Sequence, residues 1–256
     1  MSAIDDQLQS SHGGPLSRLR IHIYSDGADI ETMVSIYESG QVDGFTTNPT
    51  LMRRAGVTDY EAFARAALDA IPDAPISFEV LADDWATIES QARAIATWGQ
   101  NVFVKVPVVN TKSESAAPTI RALSGDGVKL NVTAIMTVAQ SQEALEAVAP
   151  GTRAILSVFA GRIANTGRDP IPIMRQVVKL CEGRDEVQVL WASPREVLNV
   201  YQAEECGCDI ITMTPNLSAQ LALRDKDLDE FSRETVQMFY DDARSAGYTI
   251  SALTTA

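Results

Sequence analysis

Eight short apolar runs, each followed by a segment with helical spacing, are the feature that most limits what this chain can fold into. The runs are Ile21–Tyr24, Val42–Thr46, Ile76–Val80, Asn101–Pro107, Val128–Thr133, Arg153–Val158, Val187–Trp191 and Asp209–Thr212. They are rich in Val, Ile, Leu and Phe with little alternation, as expected of strands buried on both faces of a parallel sheet. Helical spacing fills the intervals: from Ile30 to a stop at Gly40, then over residues 58–71, 84–98, 115–123, 138–148, 171–181 and 195–205, with mostly helix from Ser218 onward. Units repeating at roughly 25-residue intervals count out an α/β fold, a single (β/α)8 barrel, which commonly needs about 250 residues. The 256 residues allow that barrel and an extra C-terminal helix. Residues 1–20 read as a mobile polar lead-in broken by Gly13-Gly14-Pro15, leaving 21–256 for the barrel and its C-terminal helical segment.

A formal net charge of −13 argues against nucleic acid or an anionic membrane as partner, while leaving a locally basic site for an anionic substrate open. No segment has the length and apolarity of a membrane span, and the first 20 residues lack a signal-peptide core. Cys181, Cys206 and Cys208 make no even disulfide framework, and Cys206-Gly207-Cys208 is too tight for usual zinc spacing. Structural thiols in a reducing cytoplasm are the expectation. No metal-ligand cluster or glycine-rich dinucleotide loop is visible, so neither a metal nor a cofactor is expected. The sequence does not fix an oligomeric state, and a homo-oligomer is compatible with it.

Within the run Asn101–Pro107 one residue is out of place: Lys105 interrupts Val and Phe. Alternation puts Phe103 and Lys105 on one face and Val102, Val104 and Val106 on the other, with the amine near the carboxyl end of its strand. Barrel enzymes keep their chemistry at that end. An amine in apolar surroundings has its charged form disfavoured, which frees a lone pair for attack on a carbonyl. Two structural readings stand beside this one: an edge strand with Lys105 facing solvent, or a lysine whose head reaches water past the strand end.

Other polar residues fall at equivalent places. Asp26 follows the first strand, Asn48 the second, and Glu79 ends the third; Asn131 and Thr133 end the fifth on one face, Ser157 ends the sixth, and Ser193 and Arg195 follow the seventh. A closed barrel would bring these ends to one mouth. Asp26 and Asn48 also suit turns, and Asn131 and Thr133 could cap the next helix. Glu79, between Phe78 and Val80, needs a partner in any reading.

Read together, Asp43-Gly44-Phe45-Thr46-Thr47-Asn48-Pro49-Thr50-Leu51, Ser77-Phe78-Glu79-Val80, Asn101–Pro107, Asn131-Val132-Thr133, Ser157-Val158-Phe159-Ala160-Gly161-Arg162 and Ala192-Ser193-Pro194-Arg195 resemble the transaldolase family, in the shorter branch that also holds the fructose-6-phosphate aldolases. The motifs occur in family order over about residues 21–217, and the resemblance implies a barrel of the class I aldolase type. It implies Lys105 as the Schiff-base lysine, Asp26 as general acid and base, and Glu79 with Thr133 holding a proton-relaying water. Asn48, Asn131 and Ser157 would hold hydroxyls of a three-carbon donor fragment, and Arg162, Ser193 and Arg195 would hold the phosphate of a sugar-phosphate substrate. Two stretches depart from the family pattern. The first loop reads Tyr24-Ser25-Asp26-Gly27-Ala28, and Asn110-Thr111-Lys112-Ser113-Glu114-Ser115 replaces a loop with Thr and Gly, so sugar preference does not carry over.

The implied reaction moves a dihydroxyacetone unit from a ketose phosphate to an aldose phosphate. Aldolase members of the family carry Gln at the position of Glu79 and Tyr at that of Phe159, so both residues favour transfer over release of free dihydroxyacetone. The rivals are that aldolase reaction and a non-catalytic barrel that binds sugar phosphates, which would need neither Lys105 nor Asp26.

Overall fold

The computed structural model describes residues 19–250. The lead-in expected over residues 1–20 lies, but for its last two residues, outside them. Eight strands are present: β1 (His22–Asp26), β2 (Gly44–Thr46), β3 (Ile76–Glu79), β4 (Val102–Pro107), β5 (Leu130–Ile135), β6 (Ala154–Val158), β7 (Val187–Trp191) and β8 (Ile210–Met213). They pair in parallel in sequence order, and β8 closes on β1, giving the expected (β/α)8 barrel. With both neighbours filled, β4 is not an edge strand, which removes the solvent-facing reading of Lys105.

Helix starts follow from local chemistry. Asp29, Asp59 and Asp84 each accept a hydrogen bond from the backbone N–H three residues on, satisfying a donor that a helix N-terminus leaves open. Thr137 and Gln140 do so reciprocally before Val138–Ala147. The short helix Pro49–Arg54 was not expected; Asn48 caps it through the Leu51 N–H at 3.0 Å, and Pro49 fits its first turn. Strand ends also differ from the sequence reading: β1 reaches Asp26 and β5 reaches Ile135, while β2 has only three residues.

Register and alternation decide what the barrel encloses. Tyr24, Phe103, Ile155, Leu190, Ala192 and Ile210 form a buried apolar plug, with Phe159 packed against it. Lys105, two residues beyond Phe103 on the same face, stands one layer above that plug. Pairing sets Glu79 beside Lys105 and Lys105 beside Asn131, and sets Asp26 beside Thr46.

Residues 220–250 belong to a second compact unit. Its main element, helix Leu228–Ser245, is capped by Asp227 at the Glu230 N–H, and Lys226 pairs with Glu234. None of its residues is buried. No helix among the described residues is long and apolar enough to cross a membrane.

Candidate active site

The carboxyl ends of the strands line a cavity of about 480 Å³. Lys105 projects into it and is itself buried. Its Nζ lies 3.1 Å from Glu79 Oε2 and donates to the Thr47 carbonyl at 2.6 Å. The amine therefore meets two acceptors rather than an apolar wall, which refines the sequence argument. The adjacent carboxylate can take the amine's proton, the step that turns lysine into a nucleophile. Because Glu79 and Lys105 are cross-strand neighbours, the backbone register sets this contact.

Asp26 is held from two sides. Thr46 Oγ1 donates to its Oδ1 at 2.9 Å, and Asn48 Nδ2 reaches its two oxygens at 3.4 and 3.3 Å. Thr46 also shares a 2.6 Å hydroxyl contact with Thr212 on β8. Burial pushes the Asp26 carboxyl above its ordinary range; the Lys105 charge and the Thr46 and Asn48 hydrogen bonds pull the other way without cancelling it. A carboxyl tuned upward is suited to exchanging protons with a substrate hydroxyl. Asn48 thus serves both its readings, as helix cap and as site residue.

On the opposite wall, Ser157 donates to Asn131 Oδ1 at 2.7 Å, and Asn131 Nδ2 donates to Ser77 at 3.1 Å. Ser157 lines the cavity, whereas Asn131 has no exposed surface and stands behind it. Thr133 lines the cavity, and its buried Oγ1 makes no hydrogen bond within the described residues. Neither Asn131 nor Thr133 caps the following helix; Thr137 does. The β5–β6 register shifts between Val132 and Ile135, and Ala134 sits at φ 61°, a left-handed conformation that costs an alanine roughly 1 kcal/mol or more. The irregularity presents Thr133 and Ala134 together to the cavity, breaking strict alternation.

At the rim, Phe159, Arg162, Ser193 and Arg195 line the same cavity. The Arg162 guanidinium lies 5.3 Å over the Phe159 ring. Arg195 Nε donates to Asn165 Oδ1 at 3.2 Å, and its backbone N–H donates to Asn199 Oδ1 at 2.7 Å. Gly161 allows this edge to close: a Cβ there would lie 1.6 Å from the Ser193 carbonyl oxygen. Two exposed guanidinium groups facing a cavity with serine hydroxyls can take an anion of phosphate type.

Of the eleven residues singled out from sequence, ten line the cavity and Asn131 backs it. Sequence reasoning missed Thr46, Thr212, Ala134 and Asn165. Thr46 and Thr212 are the last residues of their apolar runs, and only barrel closure brings them together; nothing in the sequence marks Ala134 as left-handed. The divergent loop 110–115 is knit by Asn110 to its own backbone at Lys112 and Glu114, and does not line the cavity. Among the described residues, no group of three or more His, Cys, Asp or Glu side chains is arranged to hold a metal ion.

A family model described as Transaldolase/Fructose-6-phosphate aldolase matches residues 23–255. The chain is similar to a probable transaldolase of Dehalococcoides mccartyi, 34% identical over 202 residues that cover 78% of this chain and 90% of the relative. It is also similar to a probable transaldolase of Streptococcus agalactiae, 32% identical over 215 residues covering 82% of this chain and 95% of the relative. Among solved structures, 2,3-dimethylmalate lyase aligns with a TM-score of 0.55 at 14% identity, covering 94% of this chain and 88% of that one. At that identity the likeness concerns the barrel fold alone.

Proposed function

The chain belongs to the transaldolase/fructose-6-phosphate aldolase family, and from that premise we propose that it is a transaldolase, moving a dihydroxyacetone unit from a ketose phosphate to an aldose phosphate through a Schiff base on Lys105. The observation that carries this reading is the Lys105 amine, buried in the cavity 3.1 Å from the Glu79 carboxylate, with Asp26 lining the same cavity.

Glu79 takes a proton from Lys105, and the neutral amine attacks the C2 carbonyl of the ketose. The attacking nitrogen passes a proton to the new alkoxide, and return of the Glu79 proton to that hydroxyl, with Thr133 Oγ1 as a second hydrogen-bonding group, releases water and leaves an iminium. Asp26 then accepts the C4 hydroxyl proton, the C3–C4 bond breaks, and its electron pair flows into the iminium to give an enamine on Lys105. The aldose leaves. The enamine attacks the incoming aldehyde, Asp26 returns its proton to the new hydroxyl, and hydrolysis through Glu79 frees Lys105. Ser157, oriented by Asn131, and Asn48 bind hydroxyls of the three-carbon unit, while Arg162, Ser193 and Arg195 bind the phosphate.

Phe159 supports transfer over release. Its ring offers no O–H to protonate the enamine, and Arg162 covers one face of it. On this reading the partners are small sugar phosphates, no cofactor takes part, and the enzyme works in the cytoplasm, where its three free buried cysteines stay reduced. Donor consumption measured with and without an acceptor aldehyde tests the proposal. Turnover that requires the acceptor is expected; release of free dihydroxyacetone at the same rate without acceptor would assign the aldolase reaction instead.

A further inference from the structure

Glu79 faces Lys105 from the end of β3, and its backbone carbonyl also accepts a hydrogen bond from outside the barrel wall. Tyr60 opens helix Tyr60–Ala70, in the outer layer, directly after its N-cap Asp59. Its hydroxyl reaches inward and donates to the Glu79 backbone carbonyl at 2.8 Å. The same hydroxyl meets the side chain of Thr47, whose carbonyl is the other acceptor of Lys105 Nζ. Thr47 is itself tied to β3, donating through its hydroxyl to the Ser77 carbonyl at 2.9 Å. One phenol thus sits where the two segments that supply acceptors to Lys105 converge.

The ring is fixed as firmly as the hydroxyl. Trp98 and Phe78 pack edge-on to Tyr60 at centroid distances of 5.6 and 6.3 Å. Burial pushes the phenol above its usual pKa, so it remains an O–H donor throughout the working pH range. A structural role for this cage needs only the ring, whereas the hydroxyl is directed at a residue whose carboxylate contacts the amine.

We infer that Tyr60 is a positioning residue for the Lys105–Glu79 pair, holding the Glu79 backbone so that its carboxylate faces the amine. The inference rests on the proposed relay by Glu79 and adds a residue that touches neither substrate nor the reacting atoms. Tyr60→Phe keeps the ring and removes only the hydroxyl.

The test is a double-mutant cycle on the rate of Schiff-base formation, read as the borohydride-trapped adduct at saturating ketose phosphate. Tyr60→Phe is expected to slow adduct formation by about 3- to 10-fold, the scale of one lost hydrogen bond, with donor KM little changed. In a Glu79→Gln background the same substitution should change the rate by less than about twofold, since the group it positions no longer relays protons. An equal slowing in both backgrounds would make Tyr60 merely structural and overturn the inference, as would a wild-type rate in Tyr60→Phe. A wild-type rate in Glu79→Gln would overturn the relay itself, and the inference with it.

Discussion

Gly161→Ala adds one methyl group and is expected to disturb both the fold and the anion site. The new Cβ would lie 1.6 Å from the Ser193 carbonyl oxygen and 2.7 Å from its carbon, both backbone atoms. Restoring ordinary contact requires helix Ala160–Ala164 and the loop after β7 to part by roughly 2 Å, and no flexible side-chain end is available to yield. The move would also break the 3.3 Å hydrogen bond from the Gly161 N–H to the Ala192 carbonyl. Overpacking of this kind costs about 1–3 kcal/mol, which for a chain of this length lowers Tm by roughly 2–12 °C. The displaced loop carries Ser193 and Arg195, and Arg195 Nε is only 3.4 Å from the same Cβ position. Loss of a charge-assisted contact of about 1.5–3 kcal/mol would reduce kcat/KM for a phosphorylated ketose roughly 10- to 150-fold. The assay pairs a thermal melt with kinetics on a phosphorylated ketose and its unphosphorylated counterpart. An unchanged Tm would refute the close approach, and an equal loss on both donors would refute the assignment of this edge to phosphate.

Three further outcomes are expected. Arg162→Ala should weaken use of phosphorylated donors by about 1.5–3 kcal/mol and leave unphosphorylated ones nearly unaffected; equal losses on the two would make the guanidinium structural. Because the folded-state pKa of Asp26 lies above its unfolded value, ionisation of this carboxyl costs stability as pH rises through the folded pKa. Asp26→Asn should therefore raise Tm at pH 8 more than at pH 4 while stopping C3–C4 cleavage and sparing adduct formation, and a lower Tm at pH 8 would contradict the burial argument. Phe159→Tyr should place an O–H near the enamine and increase dihydroxyacetone release relative to transfer, with donor KM little changed; an unaltered ratio of the two rates would remove Phe159 from that choice.

The barrel was legible because its evidence is repeated along the chain: eight apolar runs and their helices outvote any error of two or three residues at one boundary. Lys105 was legible for a different reason, since a charge inside a valine-rich strand needs an explanation wherever it falls. Asn48 shows the limit of choosing between readings, because its two side-chain ends carry one each: Oδ1 caps a helix and Nδ2 faces Asp26. What stayed hidden depends on barrel closure or backbone irregularity. Thr46 and Thr212 are 166 residues apart and meet at 2.6 Å, and the left-handed Ala134 follows from a register shift that no residue type announces. Asn131 shared the alternation of the site residues, yet closure of the wall by Ser157 leaves it behind the surface. The divergent loop 110–115 drew attention by its composition, and its folded geometry keeps it off the cavity.

The most direct test of the Schiff-base account is the mass of the enzyme after borohydride reduction in the presence of a ketose phosphate, followed by peptide mapping. A reduced three-carbon adduct on Lys105, absent from Lys105→Met while that variant keeps the wild-type fold by circular dichroism, is the predicted result. An adduct that persists in Lys105→Met, or that maps to Lys112 or Lys129, would contradict it.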